Sequence, residues 1–181
     1  MNKNTEDKII LSLDASTKST GWAIFKNEKM IAYGIIVAGD PNVHIRIDHI
    51  AKEIKKIIIE YQPDEVILED VILSDVKNNN NVFKALMYLQ GFIVHVLEFY
   101  GVKYSFFVAS HWRRICGIRT GAQVKRAELK NKSIAFVKKH YNIDVNDDIA
   151  DAICIGYAKI NENKEDIEEK EITNVDGFEF G

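Results

Sequence analysis

Residues 9–37 read IILSLDASTKSTGWAIFKNEKMIAYGIIV and contain three short apolar runs with polar residues between them. The runs are rich in residues that favour strands, and they cover residues 9–14, 21–25 and 29–37. Runs of this length joined by tight polar turns predict a three-stranded antiparallel meander. The first of these predicted strands ends in a carboxylate, Asp14.

Downstream of the meander, helical and strand-like patterns alternate. Apolar residues recur at three- and four-residue steps, which predicts helices at 43–61, 82–100, 127–140 and 147–159. Short apolar runs predict further strands at 65–68 and 102–108. This order predicts an α/β fold in which a mixed five-stranded sheet, its first three strands antiparallel, is flanked by helices.

The length of 181 residues suits one domain that buries its own core. We expect residues 1–160 to form this domain and residues 161–181 to be an acidic, flexible tail. The N-terminus lacks the apolar core of a secretion signal, and no run approaches the roughly 20 apolar residues that span a bilayer. We therefore expect a cytoplasmic protein with no membrane partner.

The charge is unevenly distributed along the chain. The net charge is −3, but residues 161–181 carry −6, which leaves +3 on residues 1–160. Residues 103–139 contain ten Lys and Arg and a single acid, Glu128. Such a basic region is typical of a surface that binds a polyanion such as nucleic acid, although a simply solvated basic face has the same composition.

Four carboxylates have positions that suit a metal site. Asp14 ends the first predicted strand and Glu69 follows the fourth, whereas Asp148 and Asp151 are spaced i, i+3 on one face of the last helix. If that helix packs beside these strands, the carboxylates converge and need cations between them, and oxygen ligands favour Mg²⁺ or Mn²⁺. Alternatively, Asp147 or Asp148 could simply cap the last helix. Asp151 lies mid-helix between two alanines, where an unpaired carboxylate is costly.

Three stretches resemble, in order and spacing, those of RuvC-type Holliday-junction resolvases of the RNase H-like superfamily: LSLDASTKSTGWAIF (11–25), VILED (66–70) and DDIADAICIGYA (147–158). The likeness is greatest to the shorter, divergent versions carried by bacteriophages and some Gram-positive bacteria. It implies an RNase H-like nuclease domain with two Mg²⁺ ions, for which Mn²⁺ can substitute. By position, the implied catalytic and metal-binding carboxylates are Asp14, Glu69, Asp148 and Asp151.

The resemblance also implies an activity and partners. It implies a Mg²⁺-dependent endodeoxyribonuclease that resolves four-way (Holliday) DNA junctions by paired phosphodiester hydrolysis, in the cytoplasm of a bacterial or phage-infected cell. It further implies a homodimer formed through the helix 82–100. The apolar residues of this helix run more than halfway round it, a pattern that burial within one subunit also produces.

Basic residues of the chain match DNA-contacting positions of the resembled family. Arg113 and Lys130 correspond to family lysines near the cut, and either could neutralise charge on the scissile phosphate, which makes Lys130 a catalytic candidate. Further residues expected to follow the DNA backbone are Arg114, Arg119, Lys125 and Arg126.

The chain departs from the family at two places. Ile72 stands where bacterial resolvases commonly place an aromatic residue that stacks on a base at the crossover. An aliphatic side chain can still enter an opened junction, so Ile72 is kept as a DNA-binding candidate. The loop after Asp14 reads Ala15-Ser16-Thr17 and lacks the family's usual glycine.

Other functions stay open at this point. A related nuclease of the same fold could act on other branched or single-stranded nucleic acid. A DNA-binding module without catalysis fits less well. Such a module would gain nothing from placing four negatively charged carboxylates against the negatively charged phosphates of DNA. The D-x-S-T turn before a β-hairpin also opens actin-like and sugar-kinase-like ATP-binding domains, but these usually need a second similar domain, which 181 residues cannot hold.

Overall fold

The computed structural model describes residues 7–72, 79–121 and 124–175, with side chains up to residue 162. The strands of this part of the chain are β1 (Ile9–Asp14), β2 (Ser19–Lys26), β3 (Lys29–Val37), β4 (Glu65–Glu69) and β5 (Lys103–Phe107). The helices are α1 (Val43–Tyr61), α2 (Asn80–Tyr100), α3 (Ala109–Ile115), α4 (Arg126–Tyr141) and α5 (Asp147–Val175).

The five strands form one mixed sheet in the order β3-β2-β1-β4-β5. β1, β2 and β3 pair in antiparallel fashion, whereas β1 pairs with β4 and β4 with β5 in parallel. The predicted mixed sheet with an antiparallel first half is therefore confirmed. Because β1 and β4 are parallel neighbours, their carboxyl ends lie at the same edge of the sheet.

Helices cover both faces of the sheet because apolar side chains alternate along the central strands. Leu11 and Leu13 of β1 pack in a core with α1 and α2, whereas Ile10 packs in a second core with residues of α3, α4 and α5. The residues of β1 that share a face with Ile10 are Ser12 and Asp14. The sequence thus directs the carboxylate that ends β1 towards the α5 side.

Two helices differ from the prediction. α3 was not predicted, because among its seven residues only Ala109 and Trp112 are buried, too few to show a helical period. α5 does not end near residue 159 but continues to Val175 through a charged stretch whose Glu and Lys residues favour helices. The tail boundary at residue 160 stays a prediction, and residues 176–181 of that tail lie outside the described residues. The polar stretch 74–81 predicts a loop, and residues 74–78 of it also lie outside the described residues.

α2 has an unusual apolar character for a helix at the surface. Among the helices of the described part of the chain, α2 alone is long and apolar enough to cross a membrane, judged by length and composition only. Core helices of soluble proteins pass the same test. The expectation that no run approaches this length is therefore wrong. Leu89, Ile93 and Leu97 of α2 are buried against the domain, whereas other apolar residues of α2 are exposed.

Candidate active site

Asp14 and Glu69 lie side by side at the carboxyl edge of the sheet. In the parallel pairing of β1 with β4, Leu13 is opposite Leu68, so the next residue of each strand is one of these two carboxylates. Ile67, two residues before Glu69, packs in the same core as α5. Because side chains two apart share a face of a strand, both carboxylates point to the α5 side.

α5 approaches the sheet closely at the point where the carboxylates lie. Gly21 of β2 is paired with Asp14, and a Cβ atom added to Gly21 would lie 1.9 Å from the backbone oxygen of Asp148. Two residues further along the strand pair, the buried Ser12 Oγ donates to the Ala152 carbonyl at 2.7 Å. The missing side chain of Gly21 lets the first turn of α5 sit against β2, beside Asp14.

Asp148 is available to the site because another residue caps α5. The Asn146 side chain accepts from the backbone N–H of Ile149 at 2.9 Å, so Asn146 provides the cap. The Asp148 carboxylate instead accepts from Ser19 Oγ at the start of β2. The capping alternative for Asp148 is therefore wrong.

The four predicted carboxylates interact electrostatically. Burial raises the pKa of Asp14 well above its usual value of 3.8, and the negative charges of Glu69, Asp151 and Asp148 raise it further. The positive charge of Lys130 lowers the pKa of Asp14 and partly offsets these effects. The structure thus brings the predicted acids into one electrostatic cluster at the carboxyl edge of the sheet, with Lys130 close enough to act on it.

Asp151 has the least exposed surface of the acids in this cluster, at 8%. Burial raises its pKa, whereas a hydrogen bond with Ser133 and the charge of Arg113 lower it. The Arg113 guanidinium lies 4.0 Å from Asp151 Oδ2. Oδ1 of Asp151 and Nε of Arg113 are both fully buried and have no hydrogen-bond partner among the described residues. Such orphaned polar atoms are costly unless a further ligand meets them.

Lys130 and Glu69 are each held by a side chain that the sequence analysis did not assign to the site. Lys130 Nζ donates to the Asp147 carboxylate, which raises the pKa of Lys130. The indole N–H of Trp112 donates to Glu69 Oε2 at 2.9 Å, and Trp112 is fully buried. Trp112 therefore packs in the core and also orients an acid of the site.

The remaining predicted DNA-binding residues lie around this cluster rather than in it. Arg126, in the first turn of α4, is near enough to Lys130 to lower its pKa. Lys125 precedes that helix, Arg114 lies on α3, and Arg119 follows α3; the side chains of all three are exposed. Ile72 is partly buried and follows β4, three residues beyond Glu69. Their contacts with DNA stay a prediction.

The donor set of the cluster suits a hard divalent cation. Its potential ligands are all carboxylate oxygens, which Mg²⁺ and Mn²⁺ favour, and an orphaned oxygen of Asp151 lies within it. Among the described residues, no group of three or more His, Cys, Asp or Glu side chains is already arranged to hold a metal ion. Asp148 and Glu69 instead accept hydrogen bonds from Ser19 and Trp112, respectively.

Comparisons with known proteins agree with this geometry. A family model described as crossover junction endodeoxyribonuclease RuvC matches residues 10–155. The RuvC protein of Rickettsia conorii is 28% identical over 155 residues, which cover 82% of this chain and 94% of that protein. The RuvC protein of Orientia tsutsugamushi is 24% identical over 149 residues, 80% of this chain and 92% of that protein.

Solved structures share the fold at lower sequence identity. Thermus thermophilus RuvC, in complex with a Holliday junction substrate, matches with a TM-score of 0.69 and 11% identity, over 87% of this chain and 96% of that one. The yeast mitochondrial Holliday junction resolvase Ydc2 matches with a TM-score of 0.53 and 9% identity, over 85% of this chain and 78% of that one. The family match lends no support to the ATP-binding alternative. Since the family model covers most of the domain, the chain belongs to the RuvC family of crossover junction endodeoxyribonucleases.

Proposed function

We propose that this protein is a metal-dependent endonuclease that resolves four-way (Holliday) DNA junctions by paired phosphodiester hydrolysis. The observation that carries the proposal is the electrostatic cluster in which Asp14 interacts with Glu69, Asp148 and Asp151 while the side chain of Lys130 acts on it from the rim. The names of the curated relatives and the junction bound to Thermus thermophilus RuvC support the choice of substrate.

The four carboxylates would hold two Mg²⁺ ions, with Mn²⁺ as a substitute. Their all-oxygen donor set and the raised pKa of Asp14, which a cation would lower, support this choice. When bound, a pair of such ions supplies an activated water and stabilises the leaving oxygen of the phosphodiester.

Side chains of the protein prepare this centre. Trp112 holds Glu69 and Ser19 holds Asp148, so two of the acids are oriented before substrate arrives. Orienting partners of this kind are worth roughly 10–100-fold in metal affinity or activity. Arg113 and Lys130 stand at the cluster as cations that can neutralise the charge developing on the scissile phosphate.

A substrate panel tests the proposal. Purified protein is offered four-way, three-way, flap and linear duplex DNA of equal length, each with Mg²⁺, Mn²⁺ or EDTA. We expect paired, symmetric cuts in the four-way junction with either metal and no cleavage in EDTA. Cleavage that persists in EDTA would refute metal dependence, and equal cleavage of linear duplex would refute junction resolution. Preferential cleavage of the flap would instead identify a related nuclease of the same fold that acts on other branched DNA.

We further propose that the protein is a homodimer in the cytoplasm, joined through α2. Tyr88, Phe92 and Phe99 are 55%, 52% and 74% exposed, and together with the exposed His95 they follow steps of four, three and four residues. This spacing forms one stripe along a helix, opposite the buried stripe of Leu89, Ile93 and Leu97. Two copies that pair along the aromatic stripe would bury it and present two sites to the two strands of one junction.

Charge placed on the stripe is expected to break the dimer. Phe92→Glu puts a carboxylate into the proposed interface, where its desolvation is unfavourable. We expect wild-type protein to sediment as a dimer in detergent-free buffer, and the variant as a folded monomer with loss of paired cutting. Ile59→Glu is the matched control, because Ile59 is equally exposed on α1, at 53%. A monomeric wild-type protein, or a variant that stays dimeric, would contradict the proposal.

A further inference from the structure

We propose that Arg46 is a positioning residue of the active site, which fixes the loop formed by residues 15–18 and thereby sets the distance between two metal-binding acids. The loop joins β1 to β2, and Arg46 lies near the start of α1. The inference rests on the proposed metal-dependent function and adds to it a residue that acts on the acids through the loop.

The loop connects two acids of the cluster. Asp14 immediately precedes it and Ser19 immediately follows it. Ser19 Oγ donates to the Asp148 carboxylate of α5. Because one end of the loop carries an acid and the other end holds one, a shift of the loop backbone changes the separation of Asp14 and Asp148. Mg²⁺ requires nearly ideal octahedral geometry with oxygen ligands at ~2.0–2.1 Å, so its affinity depends on this separation.

The hydrogen bonds that the loop makes with its own residues are long. Ser16 Oγ accepts from the backbone N–H groups of Lys18 at 3.3 Å and Ser19 at 3.4 Å. The Thr20 hydroxyl accepts from the Ser16 N–H at 3.3 Å and donates to the Ser16 carbonyl at 3.0 Å. Three of these four distances exceed the usual range of ~2.7–3.2 Å. The loop therefore needs support from another segment to keep one conformation.

The Arg46 guanidinium supplies this support. Its Nε donates to the Thr17 carbonyl of the loop at 2.8 Å. Its Nη1 donates to the carbonyls of Asp40 at 2.7 Å and Pro41 at 3.1 Å, in the turn before α1. One planar group thus ties the loop to that turn through three carbonyl groups. Arginine suits this task because its donors stand in a fixed fork, whereas lysine offers a single nitrogen.

The helix that carries Arg46 is firmly packed. Ile47 and Ile50 of α1 are 1% and 0% exposed and belong to the core that also contains Leu11 and Leu13 of β1. The N–H of Ala38 donates to the Lys18 carbonyl at 2.8 Å, so two successive carbonyls of the loop are held by residues 38–46. The fold therefore provides a firm base for the loop, and the Arg46 side chain reaches the loop from it.

A purely stabilising role for Arg46 makes a different prediction. A contact that only stabilises the fold would lower the melting temperature of Arg46→Ala and leave the metal affinity of the folded protein unchanged. A positioning residue changes the affinity itself, because the acids of the folded variant no longer keep their separation. Metal binding measured well below the melting temperature therefore separates the two roles.

Mn²⁺ binding by Arg46 variants tests this inference. Mn²⁺ is titrated by calorimetry, without DNA, into wild-type protein, Arg46→Ala and Arg46→Lys, at a temperature at which thermal melting shows each protein to be folded. We expect the Mn²⁺ affinity of Arg46→Ala to fall by about 10–100-fold, as loss of an orienting group predicts. Arg46→Lys should recover only part of this loss, since one nitrogen cannot span the loop and the turn. Methylguanidinium, but not methylammonium, should strengthen Mn²⁺ binding by Arg46→Ala.

Lys52→Ala is the matched control, because Lys52 is an exposed cation of the same helix. Wild-type affinity in folded Arg46→Ala, or an equal loss in Lys52→Ala, would overturn the inference. Full recovery in Arg46→Lys would also overturn it, because positive charge alone would then suffice. If Arg46→Ala does not fold, the comparison of Arg46→Lys with wild-type protein decides by the same criterion.

The titration separates this inference from the choice of substrate. A weakened Mn²⁺ affinity in Arg46→Ala supports the inference even if the substrate panel shows no junction cleavage, a result that would refute the proposed function alone. A wild-type protein that binds no Mn²⁺ would refute the metal site and the inference together.

Discussion

Asp14→Asn is expected to abolish junction cleavage and, at the same time, to make the metal-free protein more stable. Cleavage should fall by about 10³-fold or more, because the substitution removes an acid at the centre of the cluster. The melting temperature without metal should rise by several degrees, since about 1 kcal/mol corresponds to ~2–4 °C in a domain of this size. Replacement of an acid that stabilises the fold would lower the melting temperature. A loss of cleavage together with a higher melting temperature therefore indicates that Asp14 serves the activity rather than the fold.

The direction of the stability change follows from the pKa of Asp14. Its folded-state pKa is raised above 3.8 by burial and by three neighbouring acids, so the folded protein binds this proton more tightly than the unfolded chain does. The associated stability is therefore present at pH values below 3.8 and is lost as the pH rises towards the folded-state pKa. Metal-free wild-type protein should melt at a lower temperature at about pH 8 than at about pH 5.5, and Asp14→Asn should reduce this difference.

Calorimetry with and without Mg²⁺ completes the comparison. A cation that binds only the folded state raises the melting temperature of the wild-type protein, and Asp14→Asn should weaken that rise. Asp48→Asn is the control, because Asp48 is an exposed acid of α1 paired with Lys52. An active Asp14→Asn protein, or one with the same metal response as wild type, would remove Asp14 from the metal site.

Gly21→Ala is expected to damage the fold and the site together. The added methyl group would lie 1.9 Å from the oxygen and 2.4 Å from the carbon of the Asp148 carbonyl. Both are backbone atoms of α5, so the helix must move by more than an ångström to reach ordinary contact. We expect a loss of about 3 kcal/mol or more, at the upper end of overpacking costs, and a melting temperature lower by ~6–12 °C.

The same shift should impair cleavage even where the variant folds. Asp148 and Asp151 lie at the displaced end of α5, so both would move away from Asp14. Gly39→Ala is the control, because a Cβ atom at Gly39 meets nothing within 4 Å. Thermal melting and cleavage of the four-way junction are measured for both variants. Wild-type stability in Gly21→Ala would show that α5 does not depend on this close approach.

The sheet and the convergence of the acids could be predicted from sequence because both follow from local patterns, the alternation of side chains in strands and the three- to four-residue repeat of helices. Alternation in β1 places Asp14 on the face opposite Leu11 and Leu13, and the i, i+3 spacing places Asp148 with Asp151. Each pattern needs only local sequence, and parallel pairing of β1 with β4 then brings Asp14 beside Glu69. The approximate position of the acidic cluster therefore follows from these local patterns combined with the predicted strand pairing.

The partners of the acids could not be predicted in the same way. Trp112 is 43 residues from Glu69 in sequence, and Ser19 is 129 residues from Asp148, so only the packed fold reveals that they meet. Lys130 and Asp147 are both polar residues near helix ends, where charged residues are common for other reasons. The sequence offers one signal, the large apolar side chain of Trp112 within a basic segment, and this indicates burial rather than a hydrogen bond.

The hydrogen bond between Ser12 and Ala152 joins residues that are 140 positions apart. During synthesis the first strand therefore leaves the ribosome long before the helix that carries Asp148 and Asp151 has been made. Until that last helix docks, a growing or partly unfolded polypeptide exposes one half of the acids without the other. Only the completely folded chain therefore brings all four acids together, because two of them arrive with α5.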